Sequence, residues 1–186
     1  RQDAGPVLIF SQEMSKEQLV DRMIANISGV NYNRIKAKTF DDKEFEAIAK
    51  AYDELEKLPL FIDDKSAITI EEVRAATNRF KRRYGKVSAV FVDDLQIMKI
   101  PQKKGEQRYQ AIGRVVNAAK NIARDMDCCV VLLSQMSRES EDKREPQLSH
   151  LRESGDIEQA ADVVEFLWHN PDETHPGGKV IQSSIA

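Results

Sequence analysis

The stretch VSAVFVDDLQIM, Val87 to Met98, is a short apolar run that breaks off in two adjacent carboxylates, Asp93 and Asp94, and then turns apolar again. Buried acids are costly unless paired. A strand that ends on two of them therefore points to a positive partner waiting at its carboxyl end. The residues on either side decide what that partner is.

Two further segments have the same build. Val7–Phe10 is a strand-like run that leads into SQEM, and CCVVLLS, Cys128–Ser134, is a buried strand that leads into Gln135. Helices fall between the strands. Ser15 with Gln18 three residues on fits a capping box, followed by Leu19, Met23, Ile24 and Ile27 at helical spacing, with Gly29 as the stop. A second helix is expected from about Asp42, with Phe45, Ile48, Ala49, Tyr52 and Leu55 on its inner face and Pro59 ending it. LFI, Leu60 onward, is a short strand. Thr69 with Glu72 opens another capped helix, with Val73, Ala76 and Phe80 inward. A long helix carries Ile112, Val115, Val116, Ala119, Ile122, Ala123 and Met126, after the basic, polar connection KIPQKKGEQR. Beyond Gln135, Glu139–Ser149 reads as a mobile loop, DIEQAA as a helical turn, and DVVEFLW and KVIQSSI as strands.

Strands alternating with helices, the central ones continuously apolar, predict an α/β domain with a mostly parallel sheet covered by helices on both faces. Ligands of such sheets bind beyond the carboxyl ends of the strands. That draws attention to Glu13, Asp93, Asp94, Ser134 and Gln135. Acids and an amide on one edge suit a divalent metal with a phosphate better than a bare anion, which the carboxylates would repel.

Composition narrows the classes. The chain has 186 residues, about one domain. Its 28 Lys and Arg against 31 Asp and Glu give a net charge of −3, which excludes a uniformly basic nucleic-acid binder and leaves room for a local patch. Cys128 and Cys129, adjacent in an apolar run, are neither a disulfide framework nor a zinc site, and predict a reducing, cytoplasmic setting. No apolar segment of the sequence approaches the roughly 20 residues that span a bilayer, and no signal peptide is expected. His150, His169 and His175 lack metal spacing, and Trp168 is expected in the core.

Four motifs, VLIFSQEM, VFVDDLQIM, VVLLSQMSR and LRESGDIEQAADVVEF, stand in the order and at the spacing of the DnaB-type replicative helicases, which the chain resembles from Val7 to about Ile185. The resemblance implies a RecA-like P-loop NTPase core and an ATP-dependent 5′ to 3′ DNA helicase working as a homo-hexamer on single-stranded DNA. Primase and a helicase loader are the implied partners, and replication forks in the nucleoid the implied place. It implies ATP and Mg²⁺ as cofactors, with Asp93 holding the metal, Glu13 as the general base and Gln135 as the γ-phosphate sensor. Mg²⁺ with its phosphates is then the positive partner of Asp93. Arg152, with the backbone around Glu153 and Gly155, corresponds to the loop that holds the DNA backbone in the central channel. Lys103, Lys104 and Arg108 are a second candidate channel loop, or an ordinary solvated one. Aromatics are not interleaved with the basic residues, so backbone tracking is expected rather than base stacking. The family usually has Leu where Gln12 stands and Tyr where Asp94 stands. Asp94 is expected to pair with a nearby Arg or Lys, and Arg138 is given no role.

No G-x-x-x-x-G-K-[S/T] motif occurs in the chain. The resemblance places that loop before Val7, and the arginine finger with its companion lysine after Ala186. Residues 1–186 are thus expected to be one partial motor domain, inactive alone. Two rival readings share the scaffold. A RecA-like recombinase or circadian-clock type ATPase would share the Glu, Asp and Gln but not LRESGDIEQ. A non-catalytic helicase accessory subunit would have lost the phosphate loop.

Overall fold

The computed structural model describes residues 5–136, 146–148, 151, 155–175 and 178–186. Four parallel strands, β1 (Val7–Ser11), β2 (Leu60–Asp63), β3 (Ala89–Asp93) and β4 (Cys129–Leu132), form a sheet in the order β2-β1-β3-β4. Register is set by apolar side chains sharing a face. Leu8 pairs with Phe61 and Val90, and Val90 pairs with Val130. This face meets α4 (Ile70–Tyr84) and α5 (Arg108–Met126). Val73, Val90, Val92, Ile112 and Ile122 all close to 0 % exposure in that core. Burying side chains of this size stabilises the domain by about 1.5–3 kcal/mol each. The opposite face, with Val7, Ile9, Ala89, Phe91 and Val131, is only half-buried in this chain.

The expected capping boxes are present. Ser15 starts α1 (Lys16–Ser28) and Thr69 starts α4, each side chain accepting from the backbone N–H three residues on while that residue's side chain accepts in return. Gly29 ends α1 and Gly85 ends α4 in the left-handed conformation, which a residue without Cβ adopts at little cost.

Helix α2 (Tyr32–Ala37) was not foreseen. At six residues, with no buried side chain, it shows no apolar period to read. The inner face of α3 (Asp42–Glu56) also differs from expectation. Ala51 is buried, Ile48 and Leu55 are half-buried, and Phe45 and Tyr52 stand 59 % and 55 % exposed. Two apolar stripes overlap on this helix, which packs against α1, and the more buried one runs through Ile48, Ala51 and Leu55. The outer stripe keeps Phe45 stacked on Phe40. Ile27, expected inward on α1, is 41 % exposed.

Helix α6 (Gly155–Ala160) forms where DIEQAA predicted a turn of helix. The last two strands, β5 (Glu165–His175) and β6 (Gly178–Ile185), pair antiparallel as a separate two-stranded sheet. Trp168 lies half-buried in that hairpin rather than in the main core. The expected loop Glu139–Ser149 lies outside the described residues except for 146–148. Among the described residues no helix is long and apolar enough to cross a membrane.

Candidate active site

Parallel pairing puts the carboxyl ends of β1, β3 and β4 side by side. Ser11 stands opposite Asp93. The Gln12 N–H donates to the Asp93 carbonyl at 2.7 Å. On the other flank the Leu133 N–H donates to Val92, and the Leu95 N–H donates back to Leu133, both at 2.9 Å. Glu13, Asp93 and Gln135 are therefore carried by three neighbouring segments that are hydrogen-bonded to one another.

Glu13 is exposed, in the turn between β1 and the α1 cap. The Ser11 hydroxyl closes that turn by donating to the Met14 carbonyl at 2.8 Å. Asp93 is half-buried at the end of β3. Burial pushes its carboxyl above the ordinary aspartate range, and the negative charges of Asp94 and Glu13 push it further. Acids that crowd one another in this way favour a cation between or beside them.

Asp94 is 3 % exposed, and its partners differ from expectation. Its Oδ2 accepts from the Gln135 side-chain amide at 2.7 Å and its Oδ1 accepts from the Ile97 N–H at 3.0 Å. An amide and a peptide group thus take the place of the expected Arg or Lys. The backbone carbonyl of Asp94 accepts from Gln12 Nε2 at 2.9 Å. Gln135 is exposed, and its N–H donates to Gln96 Oε1 at 3.2 Å. Gln96 in turn donates from Nε2 to the Ser134 hydroxyl at 2.9 Å. Sequence reasoning missed Gln12 and Gln96 as members of this network. The signal available was an amide inside an apolar motif, where each buried polar group needs a partner.

The donor set bears on a metal. Among the described residues no three His, Cys, Asp or Glu side chains converge into a metal-binding group. Mg²⁺ asks for less, since it keeps several waters and takes one or two carboxylates together with substrate phosphates. Asp93 at a strand end, with Glu13 nearby, fits that pattern.

The nucleic-acid residues are less fully placed. Arg152 and Glu153 lie outside the described residues, as does Arg138. Gly155 is the first residue of α6. The other end of α6 is tied to α5 by Lys120, which donates to the Ala160 carbonyl at 2.9 Å and to Asp162 at 3.0 Å. Lys103 and Lys104 are exposed. Arg108 donates from Nη2 to the Gln96 carbonyl at 3.0 Å, which links the basic connection to the strand end bearing Asp93.

Comparison with known proteins identifies the family and the fold. Residues 1–182 match the family model described as DnaB-like helicase C terminal domain. The replicative DNA helicase DnaB of Helicobacter pylori is 34% identical over 168 residues, 89% of this chain and 34% of that protein. The replicative DNA helicase DnaB of Buchnera aphidicola subsp. Acyrthosiphon pisum is 38% identical over 169 residues, 89% of this chain and 36% of that protein. The chain thus spans about a third of the length of these relatives. A DnaB-like replicative helicase whose structure was solved with its interactions with primase superposes with a TM-score of 0.84 at 28% identity, covering 97% of this chain and 48% of that one. An ATPase domain superposes with a TM-score of 0.84 at 28% identity, covering 96% of this chain and 70% of that one. The fold is RecA-like.

Proposed function

The chain belongs to the DnaB-like helicase C-terminal domain family, and from that membership we propose that it is part of the ATP-hydrolysing motor of a replicative DNA helicase. In this reading the whole protein unwinds duplex DNA by translocating on single-stranded DNA as a homo-hexameric ring. Primase and a helicase loader are its partners at the replication fork. The observation that carries the reading is the placement of Glu13, Asp93 and Gln135 at the carboxyl ends of neighbouring parallel strands.

Each group has a task that suits its surroundings. Asp93 would hold Mg²⁺, since its carboxyl, pushed up by burial and then by the charges of Asp94 and Glu13, is one that a nearby cation would keep ionised. Mg²⁺, when bound, supplies neutralisation of charge on the β and γ phosphates. Glu13, exposed one strand away, accepts a proton from the attacking water as general base. Gln135 donates an amide N–H to a γ-phosphate oxygen, and its backbone is continuous with the segment leading toward Met136. Arg152 neutralises a DNA phosphate, with backbone N–H groups near Glu153 and Gly155 donating to another.

The test is Glu13→Gln in the full-length protein. ATP turnover should fall about 10²–10⁴-fold, the usual weight of a general base, while nucleotide binding is retained. Near-normal turnover in that variant removes Glu13 from the role, and loss of binding together with turnover would place Glu13 in nucleotide binding.

A further inference from the structure

We propose that Asp94 is a positioning residue for the site, fixing the Gln135 side chain with its nitrogen end inward so that it acts as a hydrogen-bond donor. The inference rests on the reading of Gln135 as the phosphate-sensing residue. It concerns a position where the chain departs from the usual family pattern.

The Gln135 amide has two ends, one an acceptor and one a donor. Oxygen and nitrogen are nearly the same size, so shape alone does not decide which end faces inward. Asp94 decides it, because its Oδ2 is the acceptor of the bond. The Gln135 atom 2.7 Å from Asp94 Oδ2 is therefore Nε2. Turned over, the amide would set its own oxygen against a carboxylate oxygen inside a site that is already crowded with acids.

Asp94 is itself held firmly enough to impose this choice. Its Oδ1 is occupied by the Ile97 N–H, and its carbonyl by Gln12 Nε2, whose oxygen accepts from the Ile68 N–H at 3.0 Å. Asp94 and Gln12 are 3 % and 7 % exposed, so water competes little for these bonds. The backbone of Gln135 is held separately by Gln96 Oε1. Main chain and side chain of Gln135 are thus fixed by two different residues of the β3 end. The amide nitrogen carries two hydrogens. Asp94 takes one, and the second remains to donate to an anion on the Asp94 side of the amide, while Oε1 faces the other way.

Asp94→Asn is the informative change, since it keeps size and an acceptor for Ile97 while presenting an N–H₂ to Gln135. The Gln135 amide must then turn over. Two measurements test the proposal. In the full-length protein, kcat for ATP hydrolysis should fall about tenfold in Asp94→Asn, the weight of one hydrogen bond, with KM less affected. Adding Asp94→Asn to Gln135→Ala should cause no further loss, because a residue acting through a partner loses its effect with the partner. In the full-length protein, the Gln135 side-chain N–H₂ resonances should shift in Asp94→Asn while the melting temperature stays the same or rises. Multiplying losses in the double variant, or unmoved Gln135 resonances, would overturn the proposal and leave Asp94 a structural acid. Normal turnover in Gln135→Ala would instead sink the sensor reading itself, and the resonance measurement would then decide alone whether Asp94 orients the amide.

Discussion

Gln12 bridges two segments that are far apart in sequence: its amide nitrogen donates to the Asp94 carbonyl at 2.9 Å, and its amide oxygen accepts from the Ile68 N–H at 3.0 Å. All of this happens at 7 % exposure. One side chain therefore satisfies a buried carbonyl at the end of β3 and a buried N–H just before α4. Gln12→Leu, which would install the residue usual in the family, removes both partners at once. The Ile68 N–H is left unpaired, at a cost of about 1–3 kcal/mol, while the Asp94 carbonyl keeps a longer bond from the Ile97 N–H at 3.3 Å. The variant should be less stable by roughly 1–3 kcal/mol on that basis, measurable by urea denaturation. An unchanged midpoint would mean that the neighbouring backbone finds other partners.

The strand-end residues were legible in the sequence because they follow from one step of logic. An apolar run of five or so residues between helices is a parallel strand, and what comes next sits on the ligand-binding edge. Glu13, Asp93 and Gln135 needed nothing more. The hydrogen bonds among them were not legible. Whether Asp94 meets an arginine or the Gln135 amide depends on how far β4 runs beside β3, and pairing register is not written in either strand alone. The separate β5–β6 hairpin escaped for a related reason, since a strand's alternation does not say whether its neighbour is parallel or antiparallel.

Helix α3 offers a second stability test, because its two apolar stripes have different fates. Ala51 is 1 % exposed against α1, whereas Tyr52 beside it is 55 % exposed. Ala51→Leu should destabilise by about 1–3 kcal/mol through overpacking. Tyr52→Ser should stay within about 0.5 kcal/mol of the parent. Thermal unfolding of the pair decides the matter, and the reverse ranking would show that the buried stripe runs through Phe45 and Tyr52.

The DNA reading makes a prediction about salt. One phosphate contact on single-stranded DNA contributes a slope of about 0.7 in log affinity against log salt. Arg152→Ala in the full-length protein should flatten the slope by about that amount and weaken all sequences alike. Fluorescence anisotropy with two oligonucleotides of different composition, over a range of salt, provides the measurement. A changed base preference at constant slope would remove Arg152 from the phosphate-contacting role.

The connection between β3 and α5 carries a pH-sensitive ion pair. Arg114 reaches back to Glu106 with two hydrogen bonds, Nε to Oε1 at 2.7 Å and Nη2 to Oε2 at 2.8 Å, and its Nη2 also donates to the Pro101 carbonyl at 2.8 Å. The guanidinium, helped by the Lys103 N–H, holds the Glu106 carboxyl down to about 2 from an ordinary 4.5. A carboxyl depressed in the folded state binds its proton more readily when unfolded, so its stabilising effect is complete above 4.5 and is lost as the pH falls from 4.5 toward 2. Glu106→Gln keeps the shape of the turn but cannot titrate. The melting temperature of the variant should therefore lie below that of the parent at neutral pH, and the two should converge as the pH falls through that window. The salt dependence should follow the same course, since an exposed ion pair is screened. A constant gap between the two curves down to the lowest pH would show that Glu106 acts through packing and hydrogen-bond geometry, with its charge contributing nothing.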